Sequence, residues 1–100
     1  MRGYEEYVSD YLNTRAKVHG IEPGKDEYME YNELFQVWIG DLIGQYGVQK
    51  IEDLNPDAIR REIAEMKDYI KNDEIWCDYD SMEQHKAYVE YLEELLDEVL

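Results

Sequence analysis

The sequence predicts an all-α protein that folds as a single compact four-helix domain over residues 1–100. Apolar residues recur at i, i+3, i+4 and i+7 in four separate stretches, which is the spacing of one helix face. Capping residues, glycines and a proline separate these stretches, and none of them alternates like a strand. We therefore expect helices at about residues 3–19, 26–46, 56–71 and 81–99.

The first two predicted helices are separated by residues that favour turns. Gly20 and Gly47 stand where a glycine commonly closes a helix. Pro23 and Gly24 mark the connector, and Asp26 is placed to cap the second helix. The first apolar stripe comprises Tyr4, Tyr7, Val8, Tyr11, Leu12, Arg15 and Val18. The wider second stripe, which indicates the central helix, comprises Tyr28, Tyr31, Leu34, Phe35, Trp38, Ile39, Leu42 and Ile43.

Two glycines, Gly40 and Gly44, lie one turn apart inside the second predicted helix. Each costs about 1 kcal/mol relative to alanine in a helix interior, so another chain segment is expected to approach the backbone there. One interpretation is tight packing by another helix of the same domain. The other is a seam through which two copies form a homodimer.

The third predicted helix carries the clearest start signal in the chain. Asn55 is a favoured N-cap residue, and Pro56 fits the first helical position. Ser81 and Gln84 have the spacing of a capping box and predict the start of the fourth helix. The buried face of the third helix is predicted to comprise Ile59, Ile63, Met66 and Ile70. That of the fourth is predicted to comprise Tyr88, Val89, Leu92, Leu95, Leu96 and Val99.

The segment NDEIWCDYDSMEQ, residues 72–84, is predicted to connect the third helix to the fourth. It interleaves carboxylates with large apolar side chains, which normally face in opposite directions. We expect Ile75 to anchor the segment inward and Tyr79 to face outward. Trp76 has two interpretations: it covers the end of the bundle, or it contacts a partner.

The charge of the chain is its most unusual property. Twenty-five acidic and ten basic residues give a net charge of −15, and thirteen aromatic residues argue against the disorder that such acidity often indicates. The net charge is −5 over residues 1–49, −1 over 50–71 and −9 over 72–100. This acidity disfavours direct binding to nucleic acid or to an anionic membrane.

Two further features indicate the compartment. No apolar run approaches the roughly 18 residues that span a bilayer, and the N-terminus lacks the apolar region of a signal peptide. The single cysteine, Cys77, cannot form an internal disulfide, which is typical of a reducing compartment. We therefore expect a cytoplasmic protein.

The stretch VQKIEDLNPDAIRREIAEM, residues 48–66, resembles the middle of the helical core-binding domain of tyrosine recombinases. There a helix ends, a short link follows, and the next helix begins. The resemblance implies a four-helix arrangement. Those domains clamp DNA with basic helices, whereas this chain is acidic, so the DNA-binding function is not expected here. The matching positions are Ile51, Asp53, Leu54, Pro56 and Ile59.

The residue types that could support chemistry lack the spacing that chemistry requires. Asp78 and Asp80 could begin a calcium loop, but the glycine and the bidentate glutamate of such a loop are missing. Cys77, His19 and His85 do not have zinc-site spacing. Cys77 and His85 could form a nucleophile–base pair, but the surrounding acids would raise the thiol pKa. We therefore expect no enzyme activity, no cofactor and no metal.

In general composition, the chain resembles the small acidic inhibitors that phages make against restriction or CRISPR nucleases, many of which mimic DNA. This resemblance implies a non-enzymatic protein in the host-cell cytoplasm that occupies the basic nucleic-acid groove of a host enzyme. From the residues themselves we predict a partner-binding surface rich in carboxylates, with two aromatic side chains that could stack on arginine. It comprises Asp73, Glu74, Trp76, Asp78, Tyr79, Asp80, Glu83, Glu90, Glu93, Glu94, Asp97 and Glu98.

Two alternative functions remain open from the sequence. An immunity or antitoxin-type protein would be an equally acidic helical binder, directed at a cognate toxin. A structural or assembly subunit would instead self-associate through Gly40 and Gly44.

Overall fold

The computed structural model describes residues 3–100, and its backbone forms four α-helices joined by short links. Within that range no strand occurs, so the predicted all-α four-helix fold is confirmed. The radius of gyration is 13.6 Å, the value expected for a compact chain of this length. The helices are α1 Tyr4–His19, α2 Glu27–Tyr46, α3 Pro56–Ile75 and α4 Tyr79–Val99, with a 3₁₀ helix Ile51–Asp53 between α2 and α3.

Glycines close the first two helices as predicted. Gly20 and Gly47 have φ angles of 68° and 67°, in the left-handed region that favours glycine. Asp26 stands at the N-cap position of α2, but its side chain makes no capping hydrogen bond. Instead the Gly24 N–H donates to the Glu27 carboxylate at 2.8 Å, which closes the turn before α2.

The third helix is longer than predicted, and the link to α4 is correspondingly short. α3 continues through Ile75, so residues 72–75 belong to the helix and only residues 76–78 connect it to α4. The predicted capping box of Ser81 and Gln84 is wrong, because α4 begins at Tyr79. Asp78 is its N-cap, and the Asp78 carboxylate accepts a hydrogen bond from the Ser81 N–H at 3.3 Å.

Aromatic rings form the centre of the core. The ring of Phe35 on α2 lies 5.3 Å from that of Tyr88 and 5.7 Å from that of Tyr91, both on α4. It also contacts Tyr7 on α1 at 6.3 Å, so one side chain joins three helices. The predicted stripes are largely buried, but Val18, in the last turn of α1, is exposed.

The buried face of α4 is wider than the predicted stripe. Ala87 and Tyr91 are buried together with Tyr88 and Leu92. A face this wide contacts both α1 and α3, which pack on either side of α4. The stripe predicted from the sequence is narrower than this face, so it omits Ala87 and Tyr91.

Gly40 and Gly44 are exposed, and a Cβ atom added at either position would have no neighbour within 4 Å. The interpretation that another helix of the domain packs closely against them is therefore wrong. The expectation of a homodimer seam stays a prediction.

We expect Gly40→Ala and Gly44→Ala each to stabilise the protein by about 1 kcal/mol, since alanine is the better helix former and both sites have room for a methyl group. Urea unfolding of each variant measures this effect, with Gly47→Ala as the control. Gly47 has a positive φ, so alanine there should destabilise the fold. Destabilisation by the first two substitutions would indicate that the face is covered in solution.

Burial raises the phenol pKa of six tyrosines in and around the core, and it does so least for Tyr4. The pKa of Tyr11 and that of Tyr91 are each raised to about 12, through burial first and then through nearby carboxylates. The same causes raise the pKa of Tyr7 and Tyr31, and burial followed by the charge of Glu62 raises that of Tyr88. In the folded state these phenols therefore resist ionisation.

The protein should consequently lose stability in alkali. An exposed tyrosine in the unfolded chain ionises near pH 10, so the folded state is fully favoured below that pH and loses its advantage as the pH rises toward and beyond 12. Urea midpoints measured between about pH 8 and pH 12 test this expectation.

Tyr88→Phe provides the matched variant for that measurement. The Tyr88 hydroxyl is buried and has no hydrogen-bond partner among the described residues, so its removal should cost little at neutral pH. It should also reduce the alkaline loss of stability. If this variant loses as much stability in alkali as the unchanged protein, Tyr88 does not contribute to that loss.

Candidate protein-binding surface

A buried arginine determines where the ends of three helices lie. Arg15 on α1 is only 8% exposed, and its guanidinium lies 2.8 Å from the Glu27 carboxylate on α2 and 2.6 Å from the Glu83 carboxylate on α4. Burial alone would lower the pKa of Arg15, but the hydrogen bonds and charges of Glu83 and Glu27 outweigh burial and raise it. Arg15 therefore stays charged and joins α1, α2 and α4.

Glu83 was predicted to face a partner, and the structure places it in this internal ion pair instead of leaving its carboxylate free. The sequence signal that could have indicated the pair is Arg15 itself, because a basic residue within an apolar stripe usually has a buried or partly buried partner. Sequence spacing alone could not identify which acid that partner is.

A second internal cluster surrounds His85. The His85 Nδ1 atom lies 2.9 Å from the Asp73 carboxylate and 3.3 Å from the Ser81 hydroxyl. The imidazole ring is stacked between Trp38 at 5.1 Å and Tyr69 at 5.4 Å. Asp73, another predicted partner-binding residue, is thus directed toward α4 and helps to hold α3 against it.

The other predicted carboxylates form two groups, one around the α3–α4 link and one along α4. Glu74, Asp78 and Asp80 are exposed around the link between α3 and α4. The second group begins eleven residues after Tyr79, about 16 Å along the helix axis, and we call it the α4 acidic band. It comprises Glu90, Glu93, Glu94, Asp97 and Glu98.

Two members of the α4 acidic band contact side chains of neighbouring helices. Glu90 accepts a hydrogen bond from the Tyr7 hydroxyl at 3.4 Å, and Glu93 lies 3.9 Å from the Lys67 ammonium. Asp97 and Glu98 are exposed, whereas Glu94 is partly covered. Glu90 and Glu93 are exposed as well, so four of the five side chains of the band are accessible to solvent.

The large side chains of the α3–α4 link are also exposed. Trp76 is 81% exposed, and Tyr79 faces outward as predicted. Ile75 is 73% exposed, so the prediction that it anchors the segment inward is wrong. Because Ile75 is the last residue of α3, no neighbouring helix covers it. The interpretation that Trp76 folds back over the bundle is likewise wrong.

Backbone hydrogen bonds hold this link in one conformation. The Asp78 N–H donates to the Asp73 carbonyl at 2.8 Å and the Cys77 N–H to the Glu74 carbonyl at 3.3 Å, which is the Schellman pattern of a helix end. Cys77 has a φ of 58°, and a left-handed conformation costs a non-glycine residue about 1–2 kcal/mol. The backbone is therefore strained at Cys77, whereas glycine occupies the left-handed position at the ends of α1 and α2.

A groove joins this link to the end of α1. Its volume is about 1000 Å³, and it runs between α1 and α4. Val18 at the end of α1, Ile21 in the α1–α2 connector and Tyr79 at the start of α4 all line it. The sequence did not predict this groove. We call the exposed residues Ile75, Trp76 and Tyr79, at the end of α3 and the start of α4, the apolar tip.

The described residues contain neither a metal-binding cluster nor a helix that could span a membrane. Within residues 3–100, no three His, Cys, Asp or Glu side chains converge where they could hold a metal ion. Across the same range, none of the helices combines the length and the apolarity that crossing a membrane would require.

Comparison with known proteins assigns this chain to no family. No protein-family profile, no curated protein and no solved structure matches the chain. The features that bear on its function are the four-helix fold and the exposed acidic and apolar side chains.

We expect Arg15→Met to destabilise the protein by about 2 kcal/mol, because it leaves Glu27 and Glu83 partly buried without their shared cation. Urea unfolding measures the change. Arg60→Met is the control, since Arg60 and Asp57 pair at 2.9 Å with both side chains largely exposed, and such pairs contribute little. Equal effects of the two substitutions would refute the structural role of Arg15.

Proposed function

We propose that this chain is a non-enzymatic inhibitor that binds a basic nucleic-acid groove on a host nuclease or on a restriction or CRISPR effector. Its carboxylates would occupy the positions where DNA presents phosphates. The partner would be a basic protein, and the site of action would be the host-cell cytoplasm. The α4 acidic band is the observation that carries the proposal.

The spacing of the band supports this proposal. Five carboxylates between Glu90 and Glu98 span about 12 Å of helix axis, and phosphates recur every ~3.4 Å along one strand of B-DNA. The two charge densities are therefore comparable. A helix also keeps the charges in place, so little conformational entropy would be lost on binding.

The distribution of charge over the rest of the molecule also supports the proposal. All 25 acidic residues keep some exposure, and only Glu27, Glu62, Asp73, Glu83 and Glu94 are partly covered. Solubility of a small domain needs a net charge of only about 2–8, so −15 exceeds that requirement. A field this strong would steer a basic partner from a distance and repel nucleic acid.

A second candidate function is an immunity or antitoxin-type protein that neutralises a cognate toxin. The observation that favours it is the apolar tip, because a surface that only imitates a phosphate backbone has no need of exposed Ile75 and Trp76. Competition with DNA distinguishes the two functions, since a mimic must compete and a binder at another site need not.

The proposal predicts that reversing Glu90, Glu93, Glu94 and Asp97 to lysine weakens partner binding on the order of 100-fold. The partner is first recovered from host lysate on the immobilised chain and eluted by salt. Its purified form is then titrated in competition with a labelled DNA duplex. Raising the salt concentration should weaken binding steeply, because the interaction is between exposed charges.

The matched control reverses Glu30, Glu33, Asp41 and Asp68, which are exposed on α2 and α3 and change the net charge equally. This variant should keep most of its affinity, and circular dichroism should confirm that both variants remain helical. Equal losses in the two variants would show that only total charge matters, and an absence of loss in both would refute the proposal.

A further inference from the structure

The link between α3 and α4 contains no residue that breaks a helix. Residues 57–100 include neither glycine nor proline, whereas Pro23 and Gly24 lie between α1 and α2, and Gly47 lies between α2 and α3. Glycine and proline are the residues that most strongly interrupt a helix. The sequence therefore permits one continuous helix through residues 76–78, where the folded chain turns back on itself.

The buried faces of α3 and α4 are in phase with each other across this link. Spacings of 7 and 11 residues are close to two and three whole turns of an α-helix, so residues at these spacings share one face. In a continuous helix the buried face of α3 would therefore run through Cys77 into the buried face of α4. The residues Ile59, Ile70, Cys77, Tyr88 and Leu95 follow one another at spacings of 11, 7, 11 and 7.

The closed link is strained where a continuous helix would not be. Cys77 has a φ of 58°, a left-handed conformation that is costly for a residue other than glycine. In a continuous helix Cys77 would take the ordinary right-handed conformation, and the N–H groups at the start of α4 would donate to carbonyls one turn earlier. Opening the link thus relieves strain and replaces the Asp78 cap, a hydrogen bond of 3.3 Å, with helical hydrogen bonds.

An opened chain needs a second copy to complete its core. Tyr88, Leu92 and Leu95 on α4 are fully buried, and moving α4 away from α3 would expose them to water. A second copy, opened in the same way, has the same vacant position for α4. Each α4 can therefore pack against α1, α2 and α3 of the other copy, which restores the contacts of α4 outside the link.

We infer that two copies of this chain exchange their α4 helices and form a domain-swapped dimer, in which α3 and α4 of each copy become one helix of about 66 Å. A short link under strain favours such an exchange. The pair of Arg15 with Glu83 then joins two copies instead of two helices of one copy. The inference does not depend on the proposed function, because each four-helix unit of the dimer keeps one α4 acidic band.

Charge opposes this exchange at low salt. Each copy carries a net charge of −15, so two copies repel each other. Asp73 and His85 flank the link, and their pairing between copies would bring the two links together at the two-fold axis of the dimer. Glu74, Asp78 and Asp80 are exposed around each link. Because salt screens this repulsion, the dimer fraction should rise with salt concentration.

The test refolds the full chain from urea at low and at high protein concentration, in reducing buffer of low and of high salt. Refolding is used because α4 must leave its own chain before it can be exchanged. Light scattering then measures the fraction of dimer. This fraction should increase with protein concentration and with salt.

Cys77→Gly and Cys77→Ala form a matched pair, because both remove the thiol and only glycine takes the left-handed conformation without strain. Alanine also favours the continuous helix more than glycine does. Cys77→Gly should therefore dimerise at least about 100-fold more weakly than Cys77→Ala. Cys77→Ala should dimerise as well as the unchanged protein or better. The Cys77 side chain is exposed, so both monomers should keep their helical circular dichroism.

Spin labels at positions 67 and 93 distinguish an exchanged dimer from other dimers. The Lys67 ammonium and the Glu93 carboxylate lie 3.9 Å apart in the closed chain, whereas the two positions are about 39 Å apart along one continuous helix. The labels are attached through Lys67→Cys and Glu93→Cys in the Cys77→Ala background. Labelled chains are diluted into unlabelled ones, so that only distances within one chain are measured. The dimer should show the long distance and the monomer the short one.

Four results would overturn the inference. The first is the absence of dimer after refolding at every protein and salt concentration, and the second is equal dimerisation of Cys77→Gly and Cys77→Ala. The third is a dimer that keeps the short distance within each chain, which indicates contact between two closed copies, for example through Gly40 and Gly44. The fourth is a dimer that the unchanged protein forms and Cys77→Ala does not, which indicates a connection through the thiol.

Discussion

The ion bridge of Arg15 to Glu27 and Glu83 is the interaction on which the arrangement of the helix ends depends. Twenty-five carboxylates repel one another across a domain of 100 residues, and this one guanidinium neutralises two of them at a point where three helices meet. Its burial makes the interaction strong, and its two-pronged geometry sets the position of α1 relative to both neighbours. The groove beside Arg15 and the position of the apolar tip follow from that arrangement.

The aromatic core opposes the remaining repulsion. Phe35, Tyr88 and Tyr91 pack ring against ring, and each buried aromatic side chain removes roughly 150–250 Å² from water. The use of tyrosine where phenylalanine would suffice leaves the Tyr88 hydroxyl buried without a partner in the described structure. The core therefore contributes stability near neutral pH that ionisation of the phenols would remove in alkali.

Two surfaces with different physical properties lie along α4. The acidic band presents regularly spaced charge, which acts over a distance and weakens with salt. The apolar tip exposes large hydrophobic side chains, and apolar attraction acts only in contact. Among residues 3–100, Cys77 is the one non-glycine residue with a positive φ, and it lies beside Trp76 at the tip.

The sequence by itself determined the number of helices, most of their boundaries and most of the buried face of each. Gly20, Gly47 and Asn55 act through local backbone preferences, and apolar periodicity depends only on helix geometry, so both can be read without a fold. Only the tertiary structure decided that Arg15 pairs with Glu83, that Asp73 faces His85, and that Ile75 faces solvent. These outcomes depend on which helices become neighbours and where each one ends relative to the others, and no local pattern records that relation.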